Sequence, residues 1–203
     1  MKLMYLAAVA AVFVAGAAQA AESNVSTSQN NSAGIKARLN ATVANVQETV
    51  TLTSAAIGNT VTLDGGQAGY LSNSQVFRGD AVAELNGTIT DVTGAVNATS
   101  AAIANTATVN VKYAGSVSNT QLANIDPTAT LNATIRGVGD DVTATSAAIS
   151  NTATINGDFG YLGSYQGNGA AVNAAANLSV SNVQGAVSAT SAAIGNTLTV
   201  QGF

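Results

Sequence analysis

Between Ile35 and Val43 the chain alternates strictly: Ile35, Ala37, Leu39, Ala41 and Val43 are apolar, and Lys36, Arg38, Asn40 and Thr42 between them are polar. A two-residue period places one set on a buried face and the other on a solvated face of a β-strand. The same pattern returns at Ala81, Ala83, Leu85, Gly87 and Ile89, and again at Val172, Ala174, Ala176, Leu178 and Val180. A second run continues the buried face through Val50, Leu52, Ser54 and Ala56, after which Ile57, Asn59, Val61 and Leu63 take it over. That one-residue change of phase predicts a bulge or corner at Ala56–Ile57. Paired alanines in this run favour helix, but the flanking β-branched residues, glycine and asparagine oppose it, so the run is assigned to strand.

These strands recur. TSAAIGNT from Thr53 returns as TSAAIANT from Thr99, TSAAISNT from Thr145 and TSAAIGNT from Thr190, at steps of 46, 46 and 45 residues. Upstream of each copy lie LNATVANV, LNGTITDV, LNATIRGV and ANLSVSNV, and further upstream Gln29, Gln75, Gln121 and Gln166 keep the same steps. A fixed period in this range marks stacked units, each unable to bury its own face alone. The sequence therefore predicts an all-β protein, a β-solenoid of four repeats of about 46 residues, spanning roughly 26–71, 72–117, 118–162 and 163–203. One wide coil per repeat, or two of about 23 residues, would fit that length; the weak likeness of the half-repeats favours two unlike coils, eight in all.

The phase assignment turns Asn59, Asn105, Asn151 and Asn196 inward, beside the small residues Ser54, Ser100, Ser146 and Ser191. A buried amide is costly unless it is bonded. Identical amides stacked at the ~4.8 Å strand spacing can bond one another, so these residues, with the four glutamines, are expected to form structural ladders. The competing reading is that Asn-Thr marks a turn.

Residues 1–20, MKLMYLAAVAAVFVAGAAQA, change the picture of where the chain works. A lysine, an apolar run from Leu3 to Val14 and the small-residue pattern Ala18-Gln19-Ala20 predict a secretory signal peptide cut after Ala20, leaving a repeat domain over 21–203. The run is shorter than the ~20 residues that span a bilayer, so no membrane span is expected in the mature chain. Cysteine, histidine and tryptophan are absent and charged residues make up 8% of the chain. No basic patch offers a nucleic-acid site. Catalysis has little to work with, because Asp140 and Asp141 are neighbours on the chain and neighbours on a strand point to opposite faces. Asp64-Gly65-Gly66 does not repeat as a calcium-binding nonapeptide does and reads as a solvated turn; no metal or cofactor is expected. A terminal Phe203 raises an outer-membrane barrel, which the alanine-rich apolar positions disfavour.

A leader followed by repeats with spaced Ser, Gln and Asn, small apolar residues and no cysteine resembles the curlin family and related secreted fibre subunits, including holdfast-anchoring proteins of stalked bacteria. The resemblance implies subunits exported through a dedicated outer-membrane pore of a Gram-negative-type bacterium, assembling outside the cell with copies of themselves into cross-β fibres for adhesion or biofilm matrix. Repeats running close to both ends with no distinct cap, and low charge, agree with end-to-end stacking. A surface adhesin or holdfast anchor that binds a ligand without polymerising is the alternative, with Tyr70, Tyr113, Tyr161 and Tyr165 as an adhesive stripe.

Overall fold

The computed structural model describes residues 4–13 and 23–202, so the expected cleavage site at Ala20 lies outside the described residues. Eleven strands follow one another: β1 (Met4–Phe13), β2 (Ser23–Asn31), β3 (Ile35–Val46), β4 (Val50–Phe77), β5 (Ala81–Val92), β6 (Val96–Ala123), β7 (Thr128–Val138), β8 (Val142–Phe159), β9 (Leu162–Asn168), β10 (Asn173–Val183) and β11 (Val187–Gln201). The described residues are all-β, 84% of them in strands.

All strand pairs are parallel, and their register carries the sequence repeat into space. In one sheet β3, β5, β7 and β10 stack with Leu39 beside Leu85, Leu131 and Ala176. In the other, β4, β6, β8 and β11 stack with Asn59 beside Asn105, Asn151 and Asn196. β2 pairs with the second half of β4, and β9 with the second half of β6. Each pass runs out along one layer, turns, and returns along the other, giving a flattened β-solenoid-like stack. Met4–Phe13 also lies parallel on β4, Met4 opposite Val50.

A residue thus finds its neighbour 46 or 45 positions away, and the coil is one wide pass per repeat instead of two of about 23. The reason is physical. A 23-residue step would set Gln29 beside Leu52 and Asn59 beside Val82, stranding buried amides among hydrocarbon. Only the full step puts amide on amide.

Between the layers the apolar residues form three clusters in a row. Leu39, Val43, Leu85, Ile89, Leu131 and Ile135 fill the first against Val50 and Leu52; Ala56, Phe77, Ala81, Ala83 and Ala102 fill the second; Val61, Leu63, Leu71, Val109 and Ile155 fill the third. Burying a leucine or isoleucine contributes ~1.5–3 kcal/mol, so the interior of the stack is held mainly by these rows. The turn between layers repeats as well: Asn45, Asp91, Gly137 and Asn182 all have positive φ, at 56°, 55°, 64° and 55°. Left-handed backbone is open to glycine and tolerated by Asn and Asp, which accounts for those residue types there.

The phase change lies one step later than the sequence suggests. Val50, Leu52, Ser54 and Ala56 are inward and buried, and Asn59, Val61 and Leu63 resume the inward face. Ile57 stays outward and half-buried. The shift falls on residue 58 and its equivalents Ala104 and Ser150, all small and buried; at Gly58 itself a Cβ would lie 2.9 Å from the Phe77 ring and 2.3 Å from the Ala104 carbonyl oxygen.

Candidate functional site

Cross-braced amide rows occupy the space between the second and third apolar clusters. Asn59 Nδ2 donates to Asn105 Oδ1 at 2.9 Å, Asn105 to Asn151 at 2.7 Å, and Asn151 to Asn196 at 2.7 Å. Gln75 Nε2 donates to Gln29 Oε1 at 2.7 Å, Gln121 to Gln75 at 2.8 Å, and Gln166 to Gln121 at 2.7 Å. Every donor in the asparagine row points towards the later repeat, and every donor in the glutamine row towards the earlier one.

The second hydrogen of these amides binds the layers together. Gln29, Gln75, Gln121 and Gln166 donate across the core to the carbonyls of Thr60, Thr106, Thr152 and Thr197. Asn105, Asn151 and Asn196 donate back to the carbonyls of Leu122, Gly167 and Gln166. The serines behave differently from the amides. Ser54, Ser100, Ser146 and Ser191 bond no serine neighbour; each hydroxyl donates across the core to the carbonyl of Ala37, Ala83, Ala129 or Ala174, at 2.9–3.1 Å. They are ties between layers, while the amides tie both layers and repeats.

Three further rows were legible at the same spacing but were not singled out from the sequence. Asn86, Asn132 and Asn177 donate successively to Asn40, Asn86 and Asn132 on the outer face of the β3–β5–β7–β10 sheet. Thr27 donates to Asn73, Asn73 to Asn119 and Asn119 to Ser164 on an inward row two residues before the glutamines. Asn110 donates to Asp64, and Asn156 to Asn110. Their signal in the sequence is the recurrence of Asn in LNATV and SNSQ at the same 46-residue step.

Charges sit away from the inward rows and meet only the outer ones, at Asp64 and at Glu84, which accepts from Asn86. Arg38 meets Glu84 at 2.6 Å, and hydrogen bonds from Asn86 and Arg38 hold the Glu84 carboxyl below its ordinary range. Asp140 and Asp141 cap turn amides: Asp140 accepts from the Asp141 amide and Asp141 from the Ala186 amide. Tyr70, Tyr113, Tyr161 and Tyr165 are all well exposed, 41–66%. Among the described residues no helix is long and apolar enough to cross a membrane.

A parallel stack whose buried amides bond one repeat to the next defines a repeat protein of β-solenoid-like fold. Residues 65–203 match the family holdfast attachment protein D, and the chain belongs to that family. It is therefore a holdfast-related protein of bacterial adhesion, acting at the cell surface or outside the cell. No curated protein and no solved structure matches the chain.

Proposed function

We propose that the chain is a secreted structural subunit that assembles head to tail, after loss of residues 1–20 and export through an outer-membrane pore, into curli-like fibres that serve holdfast adhesion. The observation that supports this reading is the direction of the amide rows. At the first repeat Asn59 Oδ1 and Asn40 Nδ2 have no partner among the described residues; at the fourth, Asn177 Oδ1 and Gln166 Oε1 have none, and Asn196 Nδ2 keeps one of its two hydrogens. A second copy placed on the fourth repeat presents acceptor to donor in each row: Asn196 to Asn59, Asn40 to Asn177, Gln29 to Gln166. Reversing the copy sets like against like.

Apolar rows agree. Val187, Leu198 and Val200 are 51%, 45% and 48% exposed, whereas their equivalents in the middle repeats, Val96, Ala107 and Val109, are buried. A further copy would bring Val50, Val61 and Leu63 over them. The leader segment Met4–Phe13 lies along the Val50–Thr60 edge that this contact needs, so its removal would open the site.

The test is assembly of the chain with and without residues 1–20 at micromolar concentration, beside Leu198→Lys. In an isolated subunit that lysine keeps its ammonium in water; in a stack it is buried between layers, which is costly. Fibres from the shortened chain, and a folded monomer from Leu198→Lys, are expected. Monomers from both would overturn the reading.

A second reading is a non-polymerising holdfast anchor. It is favoured by the four exposed tyrosines, large amphipathic groups suited to adhesion. Monomeric protein that loses surface binding on Tyr161→Ala and Tyr165→Ala would select it.

A further inference from the structure

The core does not account for the most constant outward face of the molecule. Inward packing and bonding explain Ser54, Ala56, Asn59 and their equivalents, but Thr53, Ala55 and Ile57 point out of the stack. They repeat without change as Thr99, Ala101, Ile103, then Thr145, Ala147, Ile149, then Thr190, Ala192, Ile194, in register from β4 to β11. On the other layer the constant outward row, Asn40, Asn86, Asn132 and Asn177, is accounted for by its own amide bonds, and a neighbouring row drifts through Lys36, Val82, Thr128 and Asn173. That other layer carries Lys36, Arg38, Glu84 and Arg136 outward, whereas the Thr-Ala-Ile face holds no charge in any repeat.

We propose that this face is a lateral interface between two parallel stacks of the same chain. The inference rests on the fibre reading above. Rows of identical small and branched side chains are the material of dry, interdigitated sheet contacts. The row heights are self-complementary, since a two-fold axis parallel to the stack, passing between the Ala and Ile rows, lays the Ile ridge of one stack into the Ala furrow of the other. No charge is buried in the contact.

Area decides when the contact forms. From Thr51 to Ile57 a strand advances ~20 Å, and four layers rise ~19 Å, so one subunit offers ~400 Å². A stable pair needs about 800 Å² from each partner. A lone subunit falls short, and two or more stacked subunits reach it. Lateral pairing therefore follows end-to-end growth, and the free chain remains unpaired through this face.

The test is cryo-electron microscopy of fibres grown from the secreted chain, from Ile103→Lys and from Thr99→Lys, with circular dichroism to show that each variant folds. Wild-type fibres are expected as paired filaments joined at the Thr-Ala-Ile rows, and both variants as single filaments with the same strand spacing and unaltered elongation rate. Single wild-type filaments, with that face bare or taken up by another molecule, would overturn the inference and leave the fibre reading standing. Absence of fibres from the wild-type chain would overturn both. Paired filaments that persist in both lysine variants would place the lateral contact elsewhere.

Discussion

Replacing Asn105 by leucine removes three bonds from the middle of the stack. Asn59 Nδ2 loses its acceptor, and Asn151 Oδ1 and the Leu122 carbonyl each lose a donor that Asn105 supplied at 2.7–2.9 Å. Asn59 is 2% exposed and Asn151 is fully buried, so water cannot replace the lost partners without opening the layers. Each stranded buried group costs ~1–3 kcal/mol, and partial relaxation lowers the sum, so destabilisation of about 3–6 kcal/mol is expected. Asn86→Leu, in an outward amide row that solvent reaches, should cost under about 1 kcal/mol. Urea denaturation of both variants, read as the shift in midpoint at unchanged slope, gives the comparison. If the two substitutions cost the same within ~0.5 kcal/mol, the inner rows do not hold the repeats together and the reasoning fails.

Gln121→Glu puts a carboxyl where Nε2 donated to Gln75 Oε1 and to the Thr152 carbonyl. Burial and facing carbonyl oxygens raise its folded pKa, so the variant should be most stable at low pH and lose stability as pH rises from the unfolded carboxylate value towards the raised one; denaturation midpoints that are flat with pH would contradict this. Glu84 behaves oppositely: its lowered pKa gives a contribution present above the ordinary glutamate value and lost as pH falls through the folded one. Because Arg38 and Glu84 are partly exposed, Arg38→Ala should cost under ~1 kcal/mol, and nuclear magnetic resonance titration should show the Glu84 pKa moving up in that variant. Asn45→Ala should cost ~1–2 kcal/mol through its positive φ, and Asn45→Gly very little, by thermal denaturation.

Strand and repeat were legible because period two and a 46-residue step are both written in side chains that repeat in kind. The width of the coil was harder to read, since it depends on where the chain reverses, and the turn row Asn45, Asp91, Gly137 and Asn182 shares no single letter. Its common property is tolerance of left-handed backbone. Hydrophobicity alone points Ile57 inward; the phase is set by the inward position one step later, occupied by Gly58, Ala104 and Ser150, small residues whose type varies and so leaves no single letter to read. The inward amides could be identified from their spacing, but their partners across the core could not. Which carbonyl a glutamine reaches depends on the layer it faces, and the pairing of Gln75 with Thr106 crosses 31 residues with no sequence relation between the two.

The direction and size of the stack provide the most direct test of the account. Four layers per subunit at ~4.8 Å predict an axial rise of ~19 Å for each copy in a polar fibre. Cryo-electron microscopy of fibres from the secreted chain should show that rise, with Asn196 of one copy against Asn59 of the next. A monodisperse monomer after days at micromolar concentration, or fibres whose subunits alternate in direction, would contradict it.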